Sequence, residues 1–273
     1  MSSPRLEVLS EAPRGAARRA PPLLFVHGAF CDAHCWRPLM ARLAEAGYAC
    51  HAFSLEGHGA SEGRAYLPLI GIADYVKNLA TVARALPEPP VLVGHSMGGF
   101  VVQQYLARHP AAAAALLAPV PPTGLAASSW RLMTRAPALF LKLNLFQHGH
   151  HQPALDELRA MLFCAHASDD AVAELARHAQ PESQRALFDM ALVSPFLLPR
   201  LPAMPALVLG AAHDALIAAD EVAACARRLD CRADILPDLG HMMMLDAGWE
   251  RVVERLARWL DTTFPLERGA AAA

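Results

Sequence analysis

The stretch from Val91 to Gly99, VLVGHSMGG, constrains this chain more than any other. A short apolar run of β-formers meets a serine held between Gly94 and Gly98, then passes straight into a helical pattern. A strand and a helix can pack that closely around one residue only if the positions two before and two after it carry no side chain. Ser96 then sits on a turn sharp enough to strain its backbone, with its hydroxyl at the tip. The helix that follows aims its positive end at any negative charge developing there. This is the signature of a nucleophile elbow. A Gly-x-Ser-x-Gly match also arises by chance in glycine-rich strand-to-helix turns, so its context has to decide.

The context alternates strand and helix. Leu6 to Leu9 reads as an edge strand, and Leu23 to Val26 as a buried strand running into His27-Gly28. Trp36, Leu39, Met40 and Leu43 recur at helical spacing and stop at Gly47. A strand over Tyr48 to Leu55 leads to the loop EGHGASEG at 56–63, then to a helix whose inward face is Ile72, Tyr75, Val76, Leu79, Ala83 and Leu86. After the elbow the helix continues to His109, and Ala113 to Ala118 is an alanine-diluted strand. Strand and helix in this order predict an α/β fold: a mostly parallel central sheet, right-handed crossovers and helices on both faces. Active sites of such sheets lie at the carboxyl ends of the strands, where His27-Gly28 and Ser96 both fall.

Between Pro121 and Leu201 the rhythm changes to helix formers punctuated by prolines, with no good strand. This segment is expected to be a helical cap, 121–201, inserted into a discontinuous core made of 1–120 and 202–273. The sheet resumes at Ala206 to Leu209, followed by a helix from Asp220 to Leu229 and a last strand at Ala233 to Leu236. Asp246 is expected to cap the closing helix, whose apolar face is Trp249, Val252, Val253, Leu256, Trp259 and Leu260. Arg268 to Ala273 reads as a frayed tail.

Apolar residues make up 54% of the chain and charged ones 18%, enough for a large core. The net charge is −2 and no long basic run occurs, so nucleic acid is not an expected partner. No apolar run approaches the roughly 20 residues that span a bilayer, so no stable membrane insertion is expected. The leader, with Arg5, Arg14, Arg18 and Arg19, lacks the apolar segment of a secretory signal, and Glu7 and Glu11 weaken an organelle-targeting reading. The cysteines at 31, 35, 50, 164, 225 and 231 are scattered, several in apolar patterns, which fits a reducing cytoplasm. Cys31 and Cys35 with His27 and His34 lack a second cysteine pair at finger-like spacing. His148, His150 and His151 lack a carboxylate at ligand spacing, so no metal site is expected in either place.

A serine hydroxyl is a weak nucleophile until an imidazole takes its proton, and the imidazole needs a carboxylate to fix its tautomer. Three strand ends supply Ser96, Asp214 and His241, in the chain order expected for this kind of sheet. Pro119 to Gly124, after the preceding strand, offers no competing acid, which leaves Asp214, just beyond the strand that ends at Gly210, preferred to Asp220. His241 is preferred to His95, fixed to the elbow, and to His109, which ends a helix. The backbone N–H groups of Met97 and Ala29 are the expected oxyanion donors. Phe30, Trp130, Phe140, Phe146 and Met242 are candidates for an apolar pocket, with ordinary core packing as the competing explanation.

FVHGAF (25–30), EGHGASEG (56–63), GHSMGG (94–99), GAAHDAL (210–216) and LGHMMMLD (239–246) together resemble the successive blocks of an α/β-hydrolase of the serine esterase and lysophospholipase-like branch. The resemblance covers about residues 6 to 262 and is weakest in the cap. It implies acylation of Ser96, a triad completed by Asp214 and His241, no cofactor, and a small-molecule ester as substrate. Haloalkane dehalogenases and epoxide hydrolases of this superfamily carry aspartate where Ser96 stands, which disfavours both. Carbon–carbon bond hydrolases, thioesterases, perhydrolases and hydroxynitrile lyases keep the serine and stay open as alternatives. So does a ligand receptor built on the same scaffold.

Overall fold

The computed structural model describes residues 3–14, 20–148, 150–193 and 198–265. Its centre is a seven-stranded sheet made of β1 (Val8–Glu11), β2 (Leu23–Val26), β3 (Cys50–Phe53), β4 (Val91–His95), β5 (Ala113–Leu117), β6 (Ala206–Ala211) and β7 (Ala233–Leu236), in the spatial order β1-β3-β2-β4-β5-β6-β7. Only the edge pair β1 and β3 is antiparallel, and every other pair is parallel. The edge strand lies two residues beyond its expected place.

The parallel strands read as continuous apolar runs because both of their faces are covered. Alternate side chains enter opposite cores: Leu23, Phe25, Val91 and Val93 on one face, Leu24, Val26 and Leu92 on the other. Helices α1 (Arg37–Glu45) and α10 (Trp249–Thr263) cover the first face with Leu39, Leu43, Val252 and Leu256. Helices α2 (Ile72–Ala85), α3 (Met97–Leu106) and α9 (Ala219–Arg228) cover the second with Tyr75, Leu79, Val101 and Val222.

Between β5 and β6 come α4 (Ala126–Arg135), α5 (Pro137–Gln147), α6 (Leu155–Leu162), α7 (Asp169–His178) and α8 (Gln184–Ala191), with no strand among the described residues there. Among the described residues no helix is long and apolar enough to cross a membrane. Helix α10 starts at Trp249 with Gly248 at its N-cap, and Asp246 is fully buried before it. The Asp246 carboxylate is instead occupied by the N–H groups of Gly240 (2.6 Å), Cys164 (2.8 Å) and Ala247 (2.7 Å), from which it accepts hydrogen bonds. Arg268 to Ala273 lies outside the described residues.

Candidate active site

Ser96 stands between β4 and α3 with φ 51° and ψ −119°, a left-handed conformation that costs a non-glycine residue energy. Its surroundings over-determine it. The Ser96 N–H donates to Leu117 O (3.1 Å), and its carbonyl accepts from Phe100 N (3.2 Å) and Val120 N (3.1 Å). A Cβ at Gly98 would lie 2.2 Å from Val26 O, and one at Gly94 would lie 2.7 Å from Gly98 O. Both contacts are with backbone, which cannot swing aside, so the absence of side chains there is a condition of the turn.

Asp214 follows β6, and His241 lies in the loop after β7. The Asp214 Oδ1 accepts the N–H groups of Leu216 (2.8 Å) and Ile217 (2.9 Å), which fixes the carboxylate. Its Oδ2 lies 2.8 Å from His241 Nδ1, and His241 Nε2 lies 3.0 Å from Ser96 Oγ. A carboxylate can only accept, so Nδ1 carries the proton and Nε2 is left free to take one from the serine. The side chains of His241 and Asp214 are 4% and 1% exposed, so little water competes for this pair.

Two further histidines shape the site in ways the sequence reading missed. His27 Nδ1 donates to Gly28 O (2.8 Å), while its Nε2 accepts from Leu55 N (2.9 Å). Burial, and then the neighbouring His58, hold His27 down to about 4, so it stays neutral with its tautomer fixed. Because the Gly28–Ala29 peptide is trans, pinning the Gly28 carbonyl turns the Ala29 N–H the opposite way. Among the described residues neither the Ala29 nor the Met97 N–H donates to a protein acceptor, and both residues line the cavity over Ser96. His95 Nε2 donates to His241 O (2.9 Å), and its ring packs on that of His241 with centroids 4.7 Å apart. Burial above all, then His241, keeps the His95 imidazole well below its ordinary range and therefore neutral. The His-Gly pair and the elbow histidine were visible in sequence, but their partners were not: His27 is bonded by Leu55, 28 positions on, and His95 bonds His241, 146 positions on.

The cavity over Ser96 has a volume of about 480 Å³. Phe30, Phe140, Phe146 and Met242 are in its wall, and the rings of Phe30 and Phe146 are 5.6 Å apart. Trp130 is elsewhere: it is 65% exposed and outside the wall. It lies on the outer face of α4, whereas Ser128 and Leu132 on the inner face are buried. Trp130 is therefore not a pocket residue: it lies on the face of α4 opposite the one that packs inward. His34 stacks on His178 (4.8 Å), and His148 Nδ1 donates to Asn144 O (2.7 Å). His151 does have a carboxylate partner, Glu157 at 2.6 Å, supplied from α6. Among the described residues no group of three or more histidine, cysteine, aspartate or glutamate side chains could hold a metal ion.

The parallel sheet, the strained serine between β4 and α3 and the helices inserted after β5 define an α/β-hydrolase architecture. The model of the alpha/beta hydrolase family matches residues 23–255, and the chain belongs to that family. It is similar to a pyrethroid hydrolase of Sphingobium wenxiniae (27% identity over 95 residues, 35% of this chain and 34% of that protein). It is also similar to the rice protein "Probable esterase PIR7A" of Oryza sativa subsp. indica (37% over 106 residues, 37% of this chain and 40% of that protein). The matched stretches thus span little more than a third of these relatives' lengths. Among solved structures, it is similar in fold to a thermophilic esterase from Thermogutta terrifontis (TM-score 0.71, 23% identity, 96% of this chain and 94% of that one). The esterase EaEST from Exiguobacterium antarcticum shares the fold as well (TM-score 0.75, 15% identity, 94% and 96%).

Proposed function

We propose that this protein is a serine hydrolase that cleaves small or medium, largely apolar carboxylic esters through an acyl-serine intermediate. The observation that carries the reading is the line of hydrogen bonds from Asp214 Oδ2 through His241 to Ser96 Oγ, at 2.8 and 3.0 Å. His241 Nε2 takes the Ser96 proton, and the alkoxide forms a bond to the ester carbonyl carbon. The N–H groups of Ala29 and Met97, the latter at the start of α3, hold the resulting oxyanion, each worth about 3 kcal/mol to the transition state. The imidazolium, balanced by Asp214, gives its proton to the departing alcohol. Water activated by the same imidazole then breaks the acyl–Oγ bond and releases the acid.

Residues 121–201 act in this reading as a cap over a core formed by 1–120 and 202–273. The placement of Phe140 and Phe146 in the cavity wall supports that role. The name of the similar rice protein, a probable esterase, supports ester hydrolysis. Six cysteines without a disulfide support a cytoplasmic setting.

The test is turnover of nitrophenyl esters of graded chain length. Ser96→Ala is expected to lose at least about 10³-fold in kcat, because a triad without its nucleophile keeps only binding and oxyanion stabilisation. A fluorophosphonate reagent is expected to label Ser96 and no other residue. Retained turnover in the variant, or labelling elsewhere, would refute the assignment.

A further inference from the structure

The cavity over Ser96 is not apolar throughout. Its wall of Leu132, Phe140, Leu143 and Phe146 is interrupted on one side by three ionisable groups: Lys142 on α5, His151 in the following loop and Glu157 on α6. They form one cluster. Glu157 Oε1 accepts from Lys142 Nζ, while its Oε2 accepts from His151 Nε2 (2.6 Å) and from Ala154 N (3.1 Å). The last of these bonds caps the start of α6, so a structural duty accounts for Glu157. It does not account for the lysine and the histidine that meet it inside a cavity wall.

The accounting of donors and acceptors gives the cluster a direction. An ammonium has three N–H donors and no acceptor, and only one of the three is spent on Glu157. Both oxygens of Glu157 are already occupied, and its side chain is only 14% exposed. Hydrogen bonds from Lys142 and then His151 hold that carboxyl at about 2, so it is ionised at any working pH. What the cluster has left to offer an anionic ligand is therefore the donor capacity of Lys142, two N–H bonds. Asp156, the other carboxylate near Lys142, is exposed and lies outside the cavity wall.

We infer that this cluster is a specificity subsite for a carboxylate on the substrate, remote from the bond that Ser96 cleaves. An apolar chain gains nothing from an ammonium in the wall. A carboxylate moved from water into a cavity lined by phenylalanine and leucine needs such a partner to offset its desolvation. The inference rests on the esterase reading and narrows it to half-esters of dicarboxylic acids or esters of ω-hydroxy acids.

The experiment compares kcat/KM for nitrophenyl half-esters of dicarboxylic acids with that for neutral nitrophenyl esters of equal chain length. A second arm compares acetyl esters of ω-hydroxy acids with acetyl esters of plain alcohols. At one chain length in one arm, the acid-to-neutral ratio is expected to exceed one and to shrink as salt is raised. In Lys142→Met, which keeps most of the apolar stem, that ratio is expected to fall about fivefold, the size of one partly exposed ion pair. Lys142→Arg should restore it in part. Arg135→Met, a control outside the cavity wall, should leave it unchanged. Ratios at or below one in both arms, or a ratio that Lys142→Met does not move, overturn the subsite while ester turnover leaves the hydrolase reading standing. No turnover of any ester by folded protein overturns the hydrolase reading, and the subsite with it.

Discussion

At the scale of single residues, the site is held by groups that do no chemistry themselves. Asp246 is the clearest case. Its carboxylate ties Gly240, directly before His241, to Cys164, two residues past the end of α6, so the imidazole loop and the segment after α6 share one buried anchor. Met242 N–H donating to Leu162 O (2.8 Å) adds a second bond between the same two segments. Asp246→Asn replaces one accepting oxygen by a donor that faces backbone N–H groups. This should cost about 1–3 kcal/mol of stability, read as a lower Tm. Because catalytic groups lose rate when displaced by a fraction of a bond length, kcat should fall more than KM changes. A variant with unchanged Tm and kcat would show that Asp246 holds nothing in place.

At the scale of elements, the segment between α7 and α8 is fastened to the core by a buried ion pair. His58 Nε2 lies 3.1 Å from Glu182 Oε2, and both side chains are fully inaccessible. The Tyr75 hydroxyl donates to Glu182 Oε1 (2.6 Å), as does Ser183 N (2.6 Å). Burial pushes the His58 imidazolium down, but the Glu182 carboxylate and the Glu56 carbonyl overcome this against the opposing charge of Arg64, and the net shift is upward. Glu182 is pushed up by its own burial but brought below its ordinary value by His58, Tyr75 and Ser183. The neighbouring His27 stays neutral and carries no counter-charge. The signs follow from linkage. His58 contributes stability that is complete below the ordinary histidine value and lost as pH rises through its raised folded value. Glu182 contributes stability that is present above the ordinary glutamate value and lost as pH falls through its lowered folded value. Stability should therefore peak between these limits, and Glu182→Gln should both lower the maximum and flatten the two limbs. Urea midpoints measured across pH test this, and an unchanged profile in Glu182→Gln would rule the pair out as its source.

At the scale of the whole molecule, the sheet was legible because its strands are short apolar runs bounded by glycine and proline, and parallel strands buried on both faces must read that way. Ser96, Asp214 and His241 could be singled out because each lies within a few residues of a strand's carboxyl end, and strand order then sets their neighbours in space. The pairs across the inserted helices could not be read. His58 and Glu182 are 124 positions apart, and nothing in the local pattern of either names the other. Trp130 was misplaced for a related reason: periodicity reveals that a helix has two faces, while tertiary packing decides which is inward. The same contrast predicts how the molecule opens. Strands β2, β4 and β5 are wholly inaccessible, and their amides pair on both sides. Helix α5 buries only Phe146 fully and leaves Leu141 and Leu145 exposed, so little apolar contact opposes its release. The α7–α8 side is fixed instead by Glu182, by Gln180 N–H donating to Phe30 O (3.1 Å) and by the Ser183 hydroxyl donating to Ile70 O (2.5 Å). Native-state hydrogen exchange should therefore find α5 among the fastest helices, with α8 slower and the central strands slowest. Because α5 supplies Phe140, Leu143 and Phe146 to the cavity wall, an acyl chain held on Ser96 would add apolar contacts to that helix and slow its exchange. Exchange in α5 as slow as in β4, or unaltered in a long-chain phosphonate adduct of Ser96, would locate the opening of the cavity elsewhere.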